Sequence, residues 1–89
     1  MAIEQRGGRV IEVNVRVYAG LRRHLPGVPL GQSVKVRLQP EATIAELLEE
    51  LGIPRAETKT CFVNGIQREF GYRLGEGDDL AAFPPVAGG

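Results

Sequence analysis

Few residues in this chain combine type and spacing in a way that could do chemistry, and most of them reduce to structural roles. Cys61 is the one cysteine and His24 the one histidine. A thiol becomes a nucleophile only when a base or cation lowers its pKa, and nothing in the sequence joins these two residues. Cys61 is expected to be structural, and a single thiol allows neither an internal disulfide nor a multi-cysteine metal site. His24 is read as a solvated or capping side chain near a short helical turn. Asp78-Asp79 follow Gly75-x-Gly77, but a calcium loop needs more oxygen ligands at fixed spacing, so this is turn chemistry. Glu46, Glu49 and Glu50 read as a solvated helix face. Gly71-x-x-x-Gly75-x-Gly77 lacks the Lys-Ser/Thr and the following helix of a phosphate loop. No metal site is expected.

The C-terminal segment Phe83-Pro84-Pro85-Val86-Ala87-Gly88-Gly89 is different. Two prolines stiffen the chain, because each ring fixes φ. Two glycines then supply a tip without Cβ atoms, slim enough for a narrow tunnel in another protein. Extended, Pro84 to Gly89 reaches roughly 20 Å. A stiff stalk with a slim carboxylate at its end suits a group delivered into a partner's active site. The Gly89 carboxylate is the expected reactive group. Phe83, Pro84, Pro85, Val86, Ala87 and Gly88 are the expected partner contacts, with Phe83 open between a docking anchor and an ordinary core residue.

The elements that must hold this tail follow from periodicity. Ile11, Val13, Val15 and Val17 alternate with polar residues, a strand with one buried face. Leu21 and Leu25 mark a helical turn that Pro26-Gly27 stops. Val34, Val36 and Leu38 form a second alternation, pairing antiparallel with the first. Thr43 and Glu46 make a Thr-x-x-Glu capping box ahead of the stripe Ile44, Leu47, Leu48 and Leu51. Gly52 caps the helix end and Pro54 follows. Thr60–Val63 reads as a short strand, Asn64-Gly65 as a hairpin turn, Ile66–Phe70 as its return arm and Leu80–Phe83 as the last strand. The fold class is therefore α+β: a mixed sheet of four to five strands with one main helix across it, the β-grasp arrangement of ubiquitin. A split β-α-β domain of ferredoxin type would need a second full helix. Residues 1–9 read as a flexible N-terminal arm, 10–83 as the domain and 84–89 as an exposed tail.

Bulk properties limit the function classes. The chain has 89 residues, enough for one modest core. Lys plus Arg and Asp plus Glu balance at 11 each, which argues against nucleic-acid binding through bulk charge. Arg16, Arg22, Arg23, Lys35 and Arg37 are candidates for a local basic patch, but the expectation is solvated surface arginines and lysines. No signal peptide and no membrane span are expected, so the expected location is the cytoplasm.

Several blocks resemble one known family. The terminal heptapeptide Phe83–Gly89 looks like the terminus of the MoaD/ThiS family of β-grasp sulfur carriers, its MoaD branch above all. Val15-Arg16-Val17-Tyr18-Ala19-Gly20-Leu21-Arg22 is similar to that branch's first strand and turn. Phe62-Val63-Asn64-Gly65 and Gly75-x-Gly77-Asp78-x-Leu80 match later landmarks. Ile66–Arg73 departs from the pattern by carrying Phe70 and Tyr72. The resemblance implies a non-catalytic carrier that binds no cofactor stably. A ubiquitin-activating-type enzyme would adenylate Gly89 with ATP and Mg²⁺, and a sulfur donor such as a cysteine desulfurase would turn it into a thiocarboxylate. As the small subunit of a molybdopterin synthase, the chain would insert its tail into the large subunit, which transfers the sulfur to a pterin precursor. Other clients (thiamine thiazole, tRNA, cysteine) and conjugation to lysines, as in ubiquitin, remain alternatives.

Overall fold

The β-branched alternation that begins at Ile11 produces strand β1, Ile11–Val17, in which Val13 and Val15 are fully buried. The computed structural model describes residues 10–29 and 31–85. The arm assigned to Met1–Arg9 lies outside these. A 3-10 turn over Ala19–His24 follows β1 and seats Leu21 in the core. Strand β2, Val34–Leu38, returns antiparallel to β1 with Ile11 opposite Leu38, Val13 opposite Val36 and Val15 opposite Val34. This register puts every apolar residue of both strands on one face, which a slip of one residue would reverse.

The capping box forms as the sequence predicts. The Thr43 side chain accepts from the Glu46 N–H at 3.2 Å, and the Glu46 carboxylate accepts from the Thr43 N–H at 2.9 Å. Helix α1 then runs Ile44–Glu50, with Ile44, Leu47 and Leu48 buried and Leu51 partly so. Gly52 takes φ +74° and donates to Glu49 O at 3.0 Å, while Ile53 donates to Leu48 O at 2.9 Å. Together these are a Schellman closure, and only glycine adopts its left-handed position without cost. Thr43→Ala is expected to lower stability by about 1 kcal/mol, seen as a lower denaturant midpoint at unchanged slope.

Strands β3 (Thr60–Val63), β4 (Ile66–Arg68) and β5 (Asp79–Phe83) complete the sheet, ordered β2-β1-β5-β3-β4. β5 pairs parallel with β1 and antiparallel with β3. A parallel pair needs a long crossover, and the chain from β2 through α1 and the hairpin supplies it. α1 and one sheet face share one core: Val13, Val15, Cys61, Val63, Leu80 and Ala82 cluster with Ile44, Leu47 and Leu48. This is the ubiquitin-like mixed sheet with one main helix. The ferredoxin-type alternative fails, since α1 is the one α-helix among the described residues.

Asn64 and Gly65 both have positive φ, +53° and +83°, so the hairpin turn forms as expected. The return arm is shorter than the predicted Ile66–Phe70 and stops at Arg68. Beyond it the chain swings back to the helix start. Phe70 O accepts from the Ala45 N–H at 3.0 Å, Tyr72 O accepts from the Ile44 N–H at 3.1 Å, and Thr43 bridges Arg73. The free amides of a helix N-terminus outcompete two further rungs of an edge strand.

Candidate carrier tail and its docking face

The tail root is built by the central strand. Along β5, Leu80 and Ala82 point into the core, so Ala81 and Phe83 face the opposite side of the sheet. Both neighbours hold the strand to its end. The Tyr18 N–H donates to Ala82 O at 3.1 Å, and the Lys59 N–H donates to Phe83 O at 2.8 Å. Pro84 and Pro85 follow and cannot donate to a ladder, so pairing stops there. Pro84 is half-buried and Pro85 exposed. Val86, Ala87, Gly88 and Gly89 lie outside the described residues.

Phe83 lies on the open sheet face, not in the core. Its ring stacks on Tyr18 with centroids 4.5 Å apart and planes within 3°, and meets Phe62 edge-on at 5.8 Å. None of the three belongs to the core cluster. The same face carries Arg16, opposite Ala81, and farther out Glu12, Asn14, Lys35 and Arg37. The three rings thus form an aromatic island with a polar rim beside the root of the tail. Tyr18 and Phe62 escaped the sequence reading. The signal was available in strand parity: both fall on the polar face of their strands, where a large ring is the exception.

Glu57 joins the turn Ala19–His24 to a second 3-10 turn, Arg55–Glu57. Its carboxylate accepts from His24 Nε2 at 2.9 Å and pairs with Arg23. The expectation of a solvated or capping His24 is corrected: the ring is tied to a residue from a separate turn. The hydrogen bond from His24, with the charges of Arg23 and His24, holds the Glu57 carboxyl below its ordinary 4.5. A depressed carboxyl contributes stability above its unfolded value and loses it as pH falls through the folded one. A carboxyl-detected NMR titration should therefore place the Glu57 midpoint below 4.5, and His24→Ala should move it back up.

The remaining sequence candidates have structural roles. Cys61 is 2% exposed, and burial pushes its thiol up to about 11, the opposite of an activated nucleophile. Asp78 accepts from the Gly75 N–H at 2.8 Å and from Asn64 Nδ2 at 2.9 Å, while Asn64 Oδ1 accepts from the Asp79 N–H at 3.0 Å. These bonds tie the hairpin turn to the start of β5. Arg22 and Arg23 donate to Val28 O and Gly20 O. Among the described residues no group of three or more His, Cys, Asp or Glu is placed to hold a metal ion. Among them, too, no helix is long and apolar enough to cross a membrane.

Comparison with known proteins fits this geometry. A family model described as Mut7-C ubiquitin matches residues 10–88. A sequence search of curated proteins finds no match. Among solved structures, the HVO 2177 protein of Haloferax volcanii is similar at 28% identity, covering 90% of this chain and 88% of its own, with TM-score 0.68. Small archaeal modifier protein 1 of the same organism is similar at 22% identity, 85% and 99% coverage and TM-score 0.66. A Pyrococcus furiosus protein provisionally named molybdopterin converting factor, subunit 1, gives the same figures: 22%, 85% and 99%, and 0.66. The chain belongs to the Mut7-C ubiquitin family, and its fold is the ubiquitin-like β-grasp.

Proposed function

We propose that this chain is a sulfur carrier acting in molybdopterin biosynthesis as the small subunit of a molybdopterin synthase, with Gly89 as its reactive terminus. One observation carries the reading: the central strand is clamped on both sides up to Phe83, beside an aromatic island, and in the sequence two prolines and Val-Ala-Gly-Gly follow it. A carboxylate resists nucleophilic attack because its charge is delocalised. An adenylating enzyme of ubiquitin-activating type would join the Gly89 carboxylate to AMP with loss of pyrophosphate, using ATP and Mg²⁺. A persulfide donor, as on a cysteine desulfurase, then displaces AMP to give an acyl disulfide. A second thiol cleaves its S–S bond and leaves the thiocarboxylate. The donor groups and electrostatic stabilisation belong to the partners, including the synthase large subunit. Phe83, Tyr18 and Phe62 are the anchor on which those partners seat.

The likeness to small archaeal modifier protein 1 favours one second reading, in which Gly89 forms isopeptide bonds to lysines. Intact mass after co-expression with an activating enzyme and a sulfur source separates the two. The carrier gains about 16 Da, oxygen replaced by sulfur. Lysine conjugates in place of that gain would make the chain a modifier, and neither product would leave it a passive interaction module.

A further inference from the structure

We infer that the groove at the β3–β4 edge is a second interaction surface, which binds an acidic segment of a protein partner. Arg55, Lys59 and Arg68 line one groove of about 380 Å³. None of the three has an ion-pair partner among the described residues, whereas Arg23, Arg37 and Arg73 each do. Two of them are held in place by aromatic shelves. The Arg55 guanidinium lies 4.6 Å from the Phe70 ring centroid, and that of Arg68 lies 4.5 Å from that of Tyr72. A stacked guanidinium keeps its planar fork free for a carboxylate and loses less side-chain freedom on binding. This gives a role to the two aromatics that set Ile66–Arg73 apart.

The position of the groove indicates what it meets. Thr60 lies opposite Phe83, and Cys61 opposite Arg68, so Lys59 and Arg68 stand at the end of the sheet from which the tail leaves. Two strand spacings, about 10 Å, separate β5 from β4. Lys59 also holds Phe83 O through its backbone N–H. A protein that takes up the tail therefore presents its rim to this groove. The surroundings favour a short run of carboxylates over a nucleic-acid backbone. Glu69 lines the same groove, and Glu46 and Glu49 flank the other side of Arg55, so a long polyanion would meet repulsion on both sides.

The test is an NMR titration of the full ¹⁵N-labelled chain with an acetylated hexapeptide of alternating aspartate and glutamate. An asparagine–glutamine hexapeptide and inorganic phosphate serve as separate arms. Saturable shifts confined to residues 55–60 and 67–72, seen with the acidic peptide alone, are expected. Arg55→Glu with Arg68→Glu should weaken binding about tenfold, and Arg55→Lys with Arg68→Lys several-fold less than that. If the double reversal disturbs the fold, Lys59→Glu carries the same test, because its side chain stacks on no ring. Shifts centred on Arg16, Lys35 and Arg37, or unchanged affinity in the reversed variants, would overturn the inference. So would a phosphate titration that reproduces the pattern while the peptide fails to saturate. These readouts need no sulfur transfer, so they stand or fall independently of the carrier reading.

Discussion

Removal of Gly89 should abolish the gain of about 16 Da on activation while leaving thermal unfolding within about 1 °C of the full chain. The two halves of this expectation come from different parts of the molecule. The core runs through Leu80 and Ala82, and the last rung of the central strand is the bond from the Lys59 N–H to Phe83 O. Among the described residues, the core and the strand ladder thus end before the proline pair. Chemistry, on the proposed reading, begins only at the far end of the stalk. Appending one residue after Gly89 should block activation as fully as removing it, because adenylation needs a terminal carboxylate in place of an amide. A truncated chain that unfolds at markedly lower temperature would show that the tail is part of the fold. A truncated chain that still gains sulfur would move the reactive group elsewhere.

Much of this architecture was legible in the sequence because its signals are local. Strand parity placed Val13 and Val15 inside, Thr43 and Glu46 announced the helix start, and Asn64-Gly65 announced the hairpin. What was not legible depends on contacts between distant segments. No local pattern says that β5 inserts between β1 and β3, yet that insertion brings Tyr18, Phe62 and Phe83 onto one face. The early end of β4 depends on free amides at Ile44 and Ala45, which belong to another element. The pairing of His24 with Glu57 joins two short turns and carries no periodic signal. Apolar patterning encodes which face a residue occupies, while the identity of its neighbours is set by topology. The aromatic island was therefore only half visible: Phe83 was named from its place beside the prolines, and the rings that surround it were not.

Adjacent faces of β5 should give opposite results on truncation to alanine. Leu80 is 1% exposed between Val15 and Val63, so Leu80→Ala should cost about 2–5 kcal/mol of stability. In a domain of this size that lowers the melting temperature by more than about 10 °C. Phe83→Ala removes a partly buried ring from the open face, where the loss is its stacking on Tyr18 and its edge contact with Phe62. Its stability cost should stay near 1 kcal/mol, in the range of aromatic pair terms. Binding should behave the other way. A central aromatic anchor with a polar rim typically carries about 2 kcal/mol or more, so affinity for the activating enzyme should fall roughly thirtyfold with Phe83→Ala. Tyr18→Ala, which removes the stacked partner and leaves Phe83 in place, should reproduce part of that loss. Calorimetric melting and titration of the three alanine variants against one activating enzyme measure both quantities. Equal destabilisation by Leu80→Ala and Phe83→Ala would make Phe83 a core residue. Unchanged affinity in Phe83→Ala would remove the aromatic island from the docking face, and the basic groove at the β4 edge would then be left as the surface that meets the partner.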